Sequence, residues 1–193
     1  MRRVERSEIL PLGEYETVRE PFRRRVIDAK SRRRVRLGDK VSAVFENHDS
    51  VLLQIQEMLR TERITREDGI AHELETYNEL IPRDDELSLT LFVEIPEREE
   101  RERMLVALAG LEESVLLEVD GASIRAVGEA RDGARAGRTT AVHYFKFRFP
   151  RELASRLRTR DVHSVSLQIE HPAYRVATPL AKETVVELAS DLA

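Results

Sequence analysis

The stretch LSLTLFVEI, Leu87–Ile95, alternates apolar and polar residues with a period of two. Leu87, Leu89, Leu91, Val93 and Ile95 fall on one side of an extended chain, and Glu86, Ser88, Thr90 and Glu94 fall on the other. Successive side chains of a strand point to opposite faces, so the pattern predicts a strand with one side turned to a core. AVHYFKFRF, Ala141–Phe149, repeats it more sharply. Ala141, His143, Phe145, Phe147 and Phe149 share one face, and Val142, Tyr144, Lys146 and Arg148 share the other. In VHSVSLQIEHP, Val162–Pro172, the histidines His163 and His171 lie on the face of Val165, Leu167 and Ile169.

Turn residues frame further strands. VLLEVDGASIRAV carries Asp120-Gly121, which suits a type I′ hairpin turn, and Gly38-Asp39 suits a two-residue turn between Val35, Leu37 and Val41, Ala43, Phe45. Between the strands the period changes to that of a helix. Residues Glu14 to Ser31 read as helical, interrupted at Pro21. In FENHDSVLLQIQEMLRTERI, Asp49 can cap a helix whose stripe is Val51, Leu52, Ile55, Met58 and Leu59. Thr65 resembles a second cap, for a helix through Leu80 with the stripe Ile70, Leu74, Tyr77 and Ile81. Pro96 opens another helix that Gly110 can end, a short one starts at Pro150, and Thr178-Pro179 reads as the cap of a terminal helix.

This order predicts an α+β fold: a largely antiparallel sheet covered on one face by helices, in a single domain of residues 1–193. Residues 1–31 form a helical N-terminal segment that docks on the core through Phe22 and Val26. The helix between the last two strands leaves a local parallel crossover open. The Gly-rich run from Gly128 to Arg138 is expected to be the most mobile internal loop.

Composition narrows the chemistry. The chain has 193 residues, 41% hydrophobic and 35% charged, with a net charge of -4. The charged share exceeds the usual quarter or so, which suits a densely charged surface. There is no cysteine, which excludes a thiol nucleophile, cysteine-ligated zinc and a cysteine-held iron–sulfur cluster on this chain; a divalent metal could still bind through His, Asp and Glu. No apolar run predicts membrane insertion, and the expectation is a cytoplasmic protein. Dinucleotide-binding, Walker and nucleophile-elbow motifs are missing.

Candidate functional residues follow from position. Glu62 falls at the helical period between Ile55 and Met58, where a carboxylate would be desolvated at a helix C-terminus, as a general acid or base needs; an end frayed into water is the plainer reading. His143, His163 and His171 sit on apolar strand faces, where an imidazole needs a partner: a carbonyl, a metal or a substrate. Antiparallel pairing of the last two strands would bring His143 toward His171, and with Glu62 they would form a metal or proton-transfer site. A weaker acidic group is His72 with Asp68, Glu75 and Glu79 on one helix. The segment from Arg19 to Arg36 carries nine positive and two negative residues. It could grip phosphates, yet no recognition motif accompanies it, which weighs against nucleic-acid binding.

FENHDSVLLQIQEMLRTERI, ELETYNELIP followed by DELSLTLFVEIP, AVHYFKFRF and IEHPAYR occur in this order. Together they resemble the uncharacterised bacterial domain-of-unknown-function family 3501, from about Leu10 to the C-terminus. The family brings no catalytic residue with it. Its members tend to be encoded near rubrerythrin-like di-iron proteins and iron–sulfur oxidoreductase subunits, so the resemblance implies a redox or oxidative-stress context and partners of those kinds. The readings that follow are an accessory or interaction protein of such a system, a small metal- or ligand-binding enzyme using inward His and Glu, and a nucleic-acid binder.

Overall fold

In the computed structural model, which describes residues 1–128 and 137–192, Leu87–Ile95 supplies the central strand of a five-stranded antiparallel sheet. That strand, β3 (Glu86–Val93), lies between β2 (Val41–Phe45) and β7 (Val142–Arg148). The edges are β1 (Arg34–Leu37) and the short β6 (Val127–Gly128). A second sheet orders β5 (Ala122–Arg125), β4 (Val115–Val119), β8 (Val165–His171) and β9 (Tyr174–Pro179). Among the described residues every strand pair is antiparallel, so the parallel crossover is not used. The expected mobile loop, Gly128–Arg138, lies mostly outside the described residues.

The α+β class and the helix-covered sheet hold; what the sequence reading did not separate is the two sheets. The odd-numbered apolar residues of the first sheet (Leu87, Leu89, Leu91, Phe145, Phe147) share one core with Val115, Leu117, Val119, Val165, Leu167 and Ile169 of the second. Helices α4 (Arg98–Ala107), α5 (Arg151–Thr159) and α6 (Lys182–Asp191) contribute Leu105, Leu157 and Leu188 to that core. Where β1 meets β9, side chains tie the sheets together: Tyr174 Oη donates to the Leu37 carbonyl at 2.6 Å and Thr178 Oγ1 to that of Arg36 at 2.9 Å. Gly38, at φ +72°, lies under the Tyr174 hydroxyl, and a Cβ there would collide with it.

The other face of the first sheet is covered by α1 (Leu12–Arg33), α2 (His48–Thr61) and α3 (Glu67–Asn78). Val51, Ile55, Leu59, Ile70, Tyr77, Leu80 and Ile81 form a second core with Val4 and Ile9 of the N-terminal segment. Helix α1 runs through Pro21 instead of breaking there. The lost N–H leaves the Thr17 carbonyl without a helical donor on an exposed side, where water can replace it. Tyr15, Val26 and Arg33 are the buried residues of α1.

Other boundaries moved for local reasons. The cap of α2 is Asn47, not Asp49: Asn47 Oδ1 accepts the Ser50 N–H at 2.9 Å and Ser50 Oγ accepts that of Asn47 at 2.9 Å. This reciprocal box satisfies two free donors, and Asp49 instead pairs with Arg25 at 2.8 Å. Helix α3 begins after Arg66, with no side-chain cap, so Thr65 does not serve as one. The β1–β2 turn has three residues, Leu37 pairing with Val41. Asp120 and Gly121 both have positive φ, +48° and +84°, as a type I′ turn requires. Thr178-Pro179 ends β9 and opens no helix; α6 starts after Ala181.

The N-terminal segment is fastened by polar contacts as well as by Val4 and Ile9. Asn78 holds the Val4 backbone in both directions, accepting its N–H at 2.8 Å and donating to its carbonyl at 2.9 Å. Burial pushes the Glu8 carboxyl up, but Arg2, the Glu5 N–H and His48 outweigh it and hold the pKa at about 2 against 4.5 for the free group. A depressed carboxyl pKa stabilises the fold above its free value, and that contribution disappears as pH falls through the folded value. Thermal stability should therefore drop between about pH 4.5 and pH 2. In Glu8→Gln the melting temperature should be lower at neutral pH and should fall less across that window; equal slopes for the two proteins would show that Glu8 does not fasten the segment.

Candidate functional site

The three residues expected to converge do not. Strand β7 pairs with β3 and β6, while β8 pairs with β4 and β9 in the other sheet, so no ladder brings His143 to His171. His143 stacks on Phe145 and its Nε2 lies 2.9 Å from the Thr140 carbonyl and 3.1 Å from Thr139 Oγ1. Burial pushes its pKa below the usual imidazole value, which favours the neutral ring. His171 is buried, with Nε2 3.1 Å from the Ala109 carbonyl and Nδ1 accepting the Ala173 N–H at 3.2 Å. Pro172-Ala173 is the turn of the β8–β9 hairpin, with His171 opposite Tyr174. His163 precedes β8 and is exposed.

Glu62 is an exposed C-cap of α2. Helix α2 lies on the Tyr144 side of the sheet, whereas His143 lies on the Phe145 side, so the sheet itself stands between them. His72, Asp68, Glu75 and Glu79 are exposed along α3. Among the described residues no group of three His, Asp or Glu side chains gathers to hold a metal ion. In the basic segment, Arg19 and Arg23 face Glu57, Arg25 faces Asp49, Arg32 and Arg33 face Glu187, and Arg34 and Arg36 face Glu94. Much of its charge is spent inside the molecule. Arg33, only 3% exposed, also grips Asp191 of α6 through two nitrogens at 2.5 and 3.0 Å.

The structure gathers buried polar chemistry elsewhere, on the even-numbered face of the first sheet under α1–α3. Ser42, Glu46, Glu86, Ser88, Thr90 and Lys146 are each at most 5% exposed. Glu46, just beyond β2, accepts from Thr90 Oγ1 at 2.7 Å and from Ser50 Oγ of α2 at 2.5 Å, with Lys30 Nζ of α1 at 3.7 Å. A buried carboxylate is tolerated when such donors surround it.

At the other end of this layer, the ladder sets Glu86 opposite Arg148 and Ser88 opposite Lys146. Lys146 Nζ donates to the Ile81 carbonyl at 3.0 Å and lies 3.3 Å from Glu86, which also takes Arg148 Nε at 3.2 Å. These side chains open into a cleft of about 350 Å³ that Arg3, Asn78, Glu79 and Arg83 also line. A second concavity, of about 580 Å³, lies between the approach to β8 and the start of α6. Its walls are Val162, Val165, Leu180, Val185 and Val186, and Arg160, His163 and Lys182 stand at its rim. The approach to β8 is held in place by Asp120, whose carboxylate accepts the N–H groups of His163 and Ser164 at 2.9 and 2.8 Å.

Residues 3–192 match the model of a family described as Protein of unknown function (DUF3501). The chain belongs to that family. A crystal structure of a novel protein of unknown function from Burkholderia pseudomallei superposes on it with a TM-score of 0.92 at 33% identity, covering 100% of both chains. A search of curated proteins gave no match.

Sequence reasoning passed over Lys146 and Glu86 in this DUF3501 chain because strand alternation had assigned them to a polar side without saying what covers it. The available signal was a lysine and a glutamate sharing that side on neighbouring strands. The placements of the predicted residues have a direct consequence. Glu62→Gln should leave stability within about 0.5 kcal/mol, as for an exposed helix end, whereas His171→Ala should cost about 1–2 kcal/mol by stranding the Ala109 carbonyl. Denaturant unfolding measures both; a larger loss at Glu62 than at His171 would contradict the assignment.

Proposed function

We propose that this protein is an accessory component of a bacterial redox system and acts by binding a partner protein. The observation that carries the reading is the apolar groove beside α6. Val186 is 47% exposed at its edge, beside Val162, Leu180 and Val185, and Arg160 and Lys182 stand at the rim. An apolar floor with a charged margin is the arrangement of protein interfaces, in which a few buried apolar anchors supply affinity and rim charges steer the encounter. The matching partner surface presents an apolar side chain flanked by carboxylates. The family resemblance names the kind of partner: an iron–sulfur oxidoreductase subunit or a rubrerythrin-like protein. Any cluster would then belong to the partner, in keeping with the lack of cysteine here.

The test mixes the purified chain with an iron–sulfur oxidoreductase subunit, and separately with a rubrerythrin-like protein, from the same organism. Calorimetry should detect a complex with one of them that weakens with added salt, and Val186→Asp and Lys182→Glu should each loosen it by about tenfold or more, ~1.4 kcal/mol or above. No complex with either protein, or one indifferent to both substitutions, would overturn the proposal.

A further inference from the structure

We infer that the cleft over Lys146 and Glu86 is a binding site for a small organic dianion, with a phosphate group as the best match to its cations. The cleft is distinct from the groove beside α6, and the inference does not depend on that groove. Four cationic side chains line it, Arg3, Arg83, Lys146 and Arg148, against two carboxylates, Glu79 and Glu86. Two positive charges are therefore left in excess, and a dianion neutralises them. Glu86 and Lys146 are 3% and 5% exposed, so the floor is a fixed, desolvated pair on adjacent strands. Electrostatic attraction is stronger at such a site than on an open surface.

The rim supplies the geometry. Arg148 is 68% exposed along its side chain and meets Glu86 through Nε. Guanidinium groups present planar pairs of N–H donors that fit phosphate and carboxylate oxygens. Arg83 also lines the cleft, its backbone N–H held by Glu86 at 3.3 Å. Arg3 reaches the cleft from the N-terminal segment, whose neighbouring residue Val4 is pinned on both sides by Asn78. The site thus joins strands β3 and β7, the end of α3 and the N-terminal segment, all fixed by bonds already described. A volume of about 350 Å³ admits a metabolite-sized ligand.

Calorimetric titration of the full chain with inorganic phosphate tests the inference, with chloride at matched ionic strength as the control. The expected result is saturable binding that chloride does not reproduce. Arg148→Gln, which removes one ion-pair partner of Glu86 but keeps the Lys146–Glu86 contact, and Arg83→Gln, which keeps the backbone bond to Glu86, should each weaken binding by about tenfold or more. Arg24→Gln, on the exposed side of α1, should leave it unchanged. Lys146→Met should abolish binding; if that variant unfolds, the two rim substitutions still decide the matter. No saturable binding, or binding equally weakened by Arg24→Gln, would overturn the inference.

Discussion

Burying the polar side of a β-sheet is tolerable only when each group on it finds a partner, and most of this structure is arranged around that requirement. The first sheet has an apolar side that faces the second sheet and a polar side that faces helices. Glu46 stands at one end of the polar side. It takes hydroxyls from Thr90 on the sheet and Ser50 on α2, and it faces Lys30 on α1. A single carboxylate therefore joins the sheet to two helices. The apolar contacts of Val51, Ile55 and Leu59 supply attraction that is not directional; the carboxylate supplies the direction.

The same layer explains where recognition chemistry is found. Its far end is the Glu86–Lys146 pair, and the cleft opens there because α3 ends at Asn78 and the chain turns back into β3. The N-terminal segment completes the wall and is held by Asn78 and by the Glu8 contacts. The groove beside α6 has a different origin. It lies where the second sheet's last hairpin leads into the C-terminal helix, and its apolar walls extend from the main core. Two recognition surfaces of opposite character thus follow from two layers of opposite character.

The strands and their faces were legible because a period of two is a direct consequence of the pleat. Leu87–Ile95 and Ala141–Phe149 lie in register as neighbours, with Leu89 opposite Phe145 and Leu91 opposite His143. The division into two sheets was not legible, since alternation says which residues share a face and not which strand is adjacent. Strand β9 was hidden by Thr178-Pro179, a pair that suits a helix start equally well; here Pro179 ends an edge strand, where a missing N–H is tolerated. The inward placement of His143 and His171 was legible, but their partners were not. Backbone carbonyls of Thr140 and Ala109 lie within reach of them, and a carbonyl leaves no mark in sequence. Glu62 misled because a helical wheel has no end, whereas α2 stops at Thr61 and releases the next side chain to water.

The central claim is that Glu46 holds the polar layer together through its specific partners. Equilibrium denaturant unfolding of Glu46→Leu, Thr90→Val and the combined variant tests it most directly. Removing Glu46 alone strands the Thr90 hydroxyl and takes a partner from Ser50 and Lys30, and should cost about 2 kcal/mol or more. Adding Thr90→Val removes one stranded group, so the combined variant should be more stable than the sum of the single losses by at least about 1 kcal/mol. Losses that simply add would mean that the two side chains are not coupled, and that Glu46 does not hold the polar layer through Thr90.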